Sequence, residues 1–202
     1  MISRHSFHNS SFPLESFSNA LRYLILYKWG GIYLDTDIIV ARNLRPLGSN
    51  WAGREDVKNV NNAVLALSSD LLGTDIASDI LEEFRVNYSP DVWGINGPNL
   101  VTRVLASKWC YPKNLKQWSV YTCRGFKVYS PKLIYPIHYK FSRSLFKSSD
   151  WNVLRNTSGY TYHMWNHLTS AIRTIPKDSA YGRLAQRFCP SIYELFGNKF
   201  GA

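Results

Sequence analysis

Two aspartates, Asp35 and Asp37, stand two residues apart in the run Gly30-Gly31-Ile32-Tyr33-Leu34-Asp35-Thr36-Asp37-Ile38-Ile39-Val40, which is otherwise apolar. In extended backbone, residues i and i+2 point to the same face, so the spacing predicts that the two carboxylates converge. Two ionised carboxylates that close repel each other, and a buried unpaired charge costs several kcal/mol, so the site calls for a cation or a shared proton. A hard divalent ion such as Mn²⁺ or Mg²⁺ takes oxygen ligands, commonly one or two carboxylates plus the oxygens of a substrate diphosphate. Bound there, it would offset the charge of a departing nucleotide diphosphate. The plainer alternative has one aspartate capping a turn and the other pairing with a lysine or arginine. The apolar frame after Gly30-Gly31 favours the metal.

The elements that must position this pair follow from periodicity. Between Ser18 and Trp29, Leu21, Leu24 and Ile25 recur at helical spacing, with Ser16 or Ser18 as caps and Gly30-Gly31 as the stop. Ile32-Tyr33-Leu34 reads as a strand entering Asp35, and Ile38-Ile39-Val40 continues it with β-branched residues. Val60–Leu67 reads as a buried strand. Residues 75–87 carry Ile76, Ile80 and Phe84 four apart with acidic residues outside, an amphipathic helix. A further helix starts at Gly97-Pro98, where proline suits a first turn. Short strands and extended connections are expected over 120–141, a strand or loop over Tyr160–Trp165, and a helix over 179–196. Helices mixed with short apolar strands point to an α/β fold, and 202 residues suffice for a single domain.

Composition limits the partners. Apolar residues at 45% and aromatics at 15% exclude a disordered chain. A net charge of +10, from 24 Lys and Arg against 14 Asp and Glu, favours anions such as nucleotides, acidic glycans or acidic membrane surfaces. The basic residues are scattered and no nucleic-acid motif accompanies them, so no nucleic-acid partner is expected. Three cysteines lack the paired spacing of a zinc site. Cys110 and Cys123 could bridge in an oxidising lumen, or both could be reduced and buried. No signal-peptide core or membrane-spanning run occurs in the sequence.

The stretch Leu26-Tyr27-Lys28-Trp29-Gly30-Gly31-Ile32-Tyr33-Leu34-Asp35-Thr36-Asp37 resembles the D-x-D region of the α-1,4-glycosyltransferases, the group with globotriaosylceramide-synthase-type galactosyltransferases and α-1,4-N-acetylglucosaminyltransferase. Further blocks match in order: Ser18-Asn19-x-x-Arg22, Asn61-Asn62-Ala63-Val64, Trp93-Gly94-Ile95-Asn96-Gly97-Pro98, Tyr135-Pro136-Ile137 with Leu145-Phe146-Lys147, and Tyr162-His163-x-Trp165-Asn166. The wording is nearest to the plant members, and Asn19 stands where many animal and bacterial members have Asp.

This resemblance implies a GT-A-like glycosyltransferase fold over 1–202, with 15–70 as the sugar-nucleotide and metal region and 71–202 as the acceptor and metal-completing region. It implies retaining transfer of a hexosyl unit from a UDP-sugar, of the UDP-galactose or UDP-N-acetylglucosamine type, to a glycan or glycolipid hydroxyl in the Golgi, close to a membrane surface. Asp35, Asp37 and His163 take the metal; Ser18, Asn19, Arg22, Tyr33, Thr36, Asn61, Asn62 and Gly97 face the nucleotide-sugar; Asp37 and Asn96 serve the reaction itself. Trp93 and Trp165 are expected to pack, with stacking on a sugar as the alternative.

Family members carry first βα units ahead of the D-x-D helix, whereas this sequence starts a few residues before it, so the fold is expected to lack those units. The alternative reading is then a truncated, non-catalytic fragment that acts as a binding module. A dehalogenase-type phosphatase would also place Asp-x-Asp after a strand, but Ile38-Ile39 and the lack of a downstream acidic pair oppose it.

Overall fold

The computed structural model describes residues 9–196. Its elements run α1 (Pro13–Trp29), β1 (Gly31–Leu34), β2 (Ile38–Val40), β3 (Trp51–Arg54), β4 (Val60–Leu67), α2 (Leu71–Asn87), α3 (Pro98–Val104), β5 (Lys127–Tyr129), β6 (Thr161–His163), α4 (Ala180–Phe188) and α5 (Pro190–Phe196), joined by shorter helical turns. The mixture is the α/β class that the sequence pattern predicts. The described residues form two compact units, one built from 9–34 with 45–129, the other from 35–44 with 130–196.

The first unit holds a mixed sheet of order β1-β4-β3-β5, in which β4 pairs antiparallel with β1 and β3, and β5 runs parallel to β3. Every residue of β4 is buried, which explains its nearly continuous apolar run and makes Asn61 and Asn62 exceptions that need partners. Tyr23 and Leu26 of α1, Ile76, Ile80 and Phe84 of α2, and Leu100, Val101 and Val104 of α3 form the core around it.

Helix α1 starts five residues before the expected Ser18. Pro13 occupies its first turn, and no side chain caps it. Ser16 lies inside the helix, buried, with its hydroxyl 3.3 Å from that of Ser10. Leu21 and Leu24 are 43% and 52% exposed; the buried stripe runs instead through Arg22, Tyr23 and Leu26. Gly30 stops the helix as expected, at φ 66°, and a Cβ there would lie 2.6 Å from the Ser69 amide nitrogen, so only glycine fits. Helix α2 also starts early, at Leu71, because the Asp70 carboxylate accepts from the Gly73 N–H at 3.1 Å. Cys110 and Cys123 are joined in a disulfide, and Cys189 is a free thiol.

The second unit is organised on a two-stranded antiparallel ribbon that pairs Ile38 with His163, Ile39 with Tyr162 and Val40 with Thr161. Ile39, Ile137, Leu145, Phe146, Tyr162, Met164, Ala180 and Leu184 pack as its core. Only β5 forms of the strands expected over 120–141; Pro131 opens a helical turn, Pro131–Ile134, and residues Tyr139–Phe146 wind into a 3-10 helix. The C-terminal helix expected as one piece is two, because Pro190 has no N–H to continue α4. Among the described residues, no helix is long and apolar enough to cross a membrane.

Candidate metal and sugar-nucleotide residues

Asp35 and Asp37 converge, but not by strand alternation. The Ile38 N–H donates to the Asp35 carbonyl at 3.1 Å, so Asp35-Thr36-Asp37-Ile38 is a turn between β1 and β2, with Thr36 at its exposed tip. The backbone reverses where the chain passes from one sheet to the other, and the two carboxylates are gathered by that reversal.

His163 completes the group. One ligand atom from each of Asp35, Asp37 and His163 lies within 4.8 Å of the others, and His163 Nε2 is 3.2 Å from Asp37 Oδ2. An ion with bonds of about 2.1 Å holds adjacent ligands roughly 3 Å apart, so the Asp37–His163 spacing suits neighbouring ligands. His163 Nδ1 is buried without a hydrogen-bond partner, an arrangement costing about 1–3 kcal/mol unless something satisfies the ring. Two partly exposed carboxylates and an imidazole nitrogen gathered this closely fit a divalent cation of the Mn²⁺ or Mg²⁺ type.

The pairing of β2 with β6 brings residues 37 and 163 together. The Met164 N–H donates to the Asp37 carbonyl at 2.9 Å, and the Asn166 N–H donates to Asp37 Oδ2 at 2.8 Å. Between them Trp165 adopts φ 55°, a left-handed conformation costing a non-glycine residue about 1–2 kcal/mol. That bend turns the Asn166 amide back onto Asp37. Trp165 is held there by its indole N–H on the Ile137 carbonyl at 3.0 Å and by stacking on the His163 ring at 4.0 Å between centroids. Burial pushes the Asp37 carboxyl up, but the His163 hydrogen bond and charge, with the Asn166 N–H, outweigh it and hold the carboxyl below its ordinary value.

The remaining candidates lie in the first unit. Arg22 is buried; its guanidinium donates to the Asn62 carbonyl at 2.8 Å and the Ser18 hydroxyl at 3.0 Å, and stands 4.6 Å over the Tyr33 ring. The Tyr33 and Ser18 hydroxyls are 3.5 Å apart. The Asn62 amide donates to Asn19 Oδ1 at 2.8 Å and to the Tyr23 hydroxyl at 2.9 Å. Gly97 lies against both amides, since a Cβ there would be 3.3 Å from Asn19 Oδ1 and from Asn62 Oδ1. Ser18, Asn19, Arg22, Tyr33, Asn62 and Gly97 thus form one connected cluster on α1, β1, β4 and the entry to α3.

Asn61 and Asn96 are turned elsewhere. Asn61 donates to Glu55 at 2.6 Å and accepts from the Ala63 N–H at 2.7 Å, beside the register slip of β3 on β4. The Asn96 amide brackets the Ser89 backbone, donating to its carbonyl at 2.5 Å and accepting from its N–H at 3.0 Å. Sequence reasoning missed Tyr23, whose buried hydroxyl also donates to the Asn96 carbonyl at 3.1 Å. It looked like one more apolar residue of α1. The Asn166 amide and the bend at Trp165 were missed too, because a backbone N–H leaves no residue-type signal. Trp93 is 47% exposed and packs edge-on against Phe12 at 5.2 Å.

Residues 71–196 match the family described as alpha 1,4-glycosyltransferase conserved region, and residues 5–57 match the glycosyltransferase sugar-binding region containing DXD motif. Mouse lactosylceramide 4-alpha-galactosyltransferase is 32% identical over 185 residues, covering 90% of this chain and 50% of the relative. Human alpha-1,4-N-acetylglucosaminyltransferase is 30% identical over 179 residues, 87% of this chain and 50% of the relative. An uncharacterised Arabidopsis thaliana protein is 26% identical over 175 residues, 80% of this chain and 26% of the relative. The chain therefore spans about half the length of the first two of these relatives. No solved structure matches it.

Proposed function

This chain belongs to the alpha 1,4-glycosyltransferase family, and we propose on that premise that it is the catalytic region of a metal-dependent glycosyltransferase with a GT-A-type fold. The reaction is transfer of a hexosyl unit from a UDP-sugar to a hydroxyl of a glycan or glycolipid, with retention of configuration. The donor is of the UDP-galactose or UDP-N-acetylglucosamine type, the two transfers named for the animal relatives. The Golgi lumen is the proposed setting, an oxidising compartment of the kind in which a Cys110–Cys123 bridge persists.

The observation that carries this reading is the convergence of Asp35, Asp37 and His163. A Mn²⁺ or Mg²⁺ ion held by these residues would offset the charge that builds on the departing diphosphate. The chain's own groups prepare the site for it. His163 and the Asn166 N–H keep Asp37 ionised, so the carboxylate meets a cation without first losing a proton. Trp165 fixes the plane of the imidazole. Thr36, at the exposed tip of the turn, is a hydroxyl available to a diphosphate oxygen.

In the first unit, Arg22 is the group suited to a phosphate or sugar oxygen, because its guanidinium is already oriented by Ser18, Asn62 and Tyr33. Asn19 and Asn62 supply amides for donor-sugar hydroxyls, with Gly97 keeping space beside them. Asn61 and Asn96 act as positioning residues, through β4 and through the loop ahead of α3.

Calorimetric titration of UDP with and without Mn²⁺, repeated on Asp37→Ala, tests this. Manganese-dependent binding that disappears in the variant is the expected result. Binding indifferent to Mn²⁺ and to Asp37→Ala would overturn the metal-dependent donor site and leave a binding module in its place.

A further inference from the structure

Asn156, Thr157 and Ser158 make an Asn-x-Ser triplet, the acceptor pattern for an N-linked glycan, within the second unit. The Thr157 N–H donates to the Leu154 carbonyl at 3.1 Å. Arg155 adopts φ −58° and ψ 135° and Asn156 adopts φ 62°, so residues 154–157 form a type II turn with Asn156 at the position that requires a positive φ. Asparagine tolerates that conformation better than most residues. The turn therefore accounts for an asparagine or a glycine at 156, and for nothing beyond it.

The two hydroxyls that follow differ. Thr157 is held by the fold, donating to the Leu154 carbonyl at 2.8 Å and lying 3.1 Å from the Tyr162 hydroxyl. Ser158 is exposed, as is Asn156, and neither the Ser158 hydroxyl nor the Asn156 amide is engaged by another described residue. Those are the two groups that glycosylation uses: the amide nitrogen takes the sugar, and the hydroxyl two residues on is read by the modifying enzyme. Two further triplets of this pattern, Asn9-Ser10-Ser11 and Asn87-Tyr88-Ser89, have such groups committed to the fold. The Ser11 hydroxyl donates to Asp91 at 2.8 Å, and Asn87 donates to Glu83 at 3.0 Å through the nitrogen that a glycan would take.

The Cys110–Cys123 disulfide is an independent observation pointing the same way, since such bridges persist in the oxidising secretory compartments where asparagine is glycosylated. We propose that Asn156 is a site of N-linked glycosylation, which rests on the lumenal setting proposed above. The co-substrate is an oligosaccharide carried on a polyisoprenyl diphosphate and delivered by the host's glycosylating enzyme. A bond forms between Asn156 Nδ2 and C1 of the first sugar, the bond from C1 to the diphosphate oxygen breaks, the lipid diphosphate leaves with the electron pair, and an amide proton passes to a base of that enzyme. The folded chain accepts the glycan without giving up a side-chain hydrogen bond, and a bulky hydrophilic group on the turn bars residues 154–158 from membrane or protein cover.

The test is expression of the full chain behind a cleavable signal peptide in plant cells, followed by enzymatic deglycosylation, which leaves aspartate wherever a glycan stood, and peptide mass mapping. The Cys110–Cys123 bridge, mapped in the same digest, verifies that the chain folded in the lumen. Asn156→Gly keeps the positive φ of the turn, and the Ser158 variants leave the turn untouched. The expected result is aspartate at 156 in the parent and in Ser158→Thr, asparagine at 156 in Ser158→Ala, and loss of one glycan's mobility shift in both Asn156→Gly and Ser158→Ala. Unmodified Asn156 in the bridged parent would overturn the site while leaving the transferase reading and its lumenal setting in place. Aspartate appearing equally in Ser158→Ala would also overturn it, by marking deamidation instead of a glycan.

Discussion

His163 Nε2 lies 3.2 Å from Asp37 Oδ2, and this contact exists because Ile38 is the residue paired with His163 across the β2–β6 ribbon. Register therefore sets it. Sliding β6 by one residue would turn Tyr162 toward the carboxylates and send His163 to the opposite face. The bend at Trp165 locks that register from the far side, since it brings the Asn166 N–H onto the same carboxylate oxygen. The β2–β6 pairing, two amide N–H groups bonded to Asp37 and the Trp165 stack thus fix where His163 stands.

If His163 completes a cation site, His163→Ala should reduce Mn²⁺ affinity by at least about 10–100-fold, since even changes to the groups supporting a ligand cost that much. Electron paramagnetic resonance of free Mn²⁺ reads this directly. Unchanged affinity would remove His163 from the ligand set. His163→Gln should restore part of the fold's stability without restoring the metal, separating the two roles.

Tyr23→Phe removes a buried hydroxyl that accepts from Asn62 at 2.9 Å and donates to the Asn96 carbonyl at 3.1 Å. Leaving those partners unsatisfied should cost about 1–3 kcal/mol in urea unfolding. UDP-sugar affinity should fall with it if the Asn19–Asn62 cluster contacts the donor. A stability loss with intact affinity would confine the cluster to a structural role.

Asp70 gives a pH dependence of known sign. The Ser68 hydroxyl, 2.5 Å from its carboxylate, and the Gly73 N–H hold its pKa below the ordinary carboxylate value of 3.8. A depressed folded pKa means stabilisation that is fully present above the unfolded value and lost as pH falls through the folded one. Asp70→Ala should lower Tm near neutrality, and the gap from the parent should close below pH 3.8. A gap that persists in strong acid would assign the effect to packing instead of the charged cap.

Local chemistry made several parts of the molecule legible in the sequence. Gly30 had to stop a helix, the β-branched runs on either side of Asp35-Thr36-Asp37 had to be extended, and Val60–Leu67 was apolar enough to be a central strand; each follows from neighbours within a few residues. The ordered blocks also identified His163 as a partner of the aspartates. Helix starts were less legible, because Pro13 and Asp70 set them from outside the apolar pattern.

Sequence by itself determined which side chains could bind a cation and that Gly31–Leu34, Ile38–Val40 and Val60–Leu67 were strands, because both depend on residue type and short-range spacing. Tertiary structure alone decided that a turn, not a strand, gathers Asp35 and Asp37, and that Asn61 and Asn96 face their own backbone surroundings. Those outcomes depend on strand register and on contacts between residues far apart in the chain, and no local pattern encodes either.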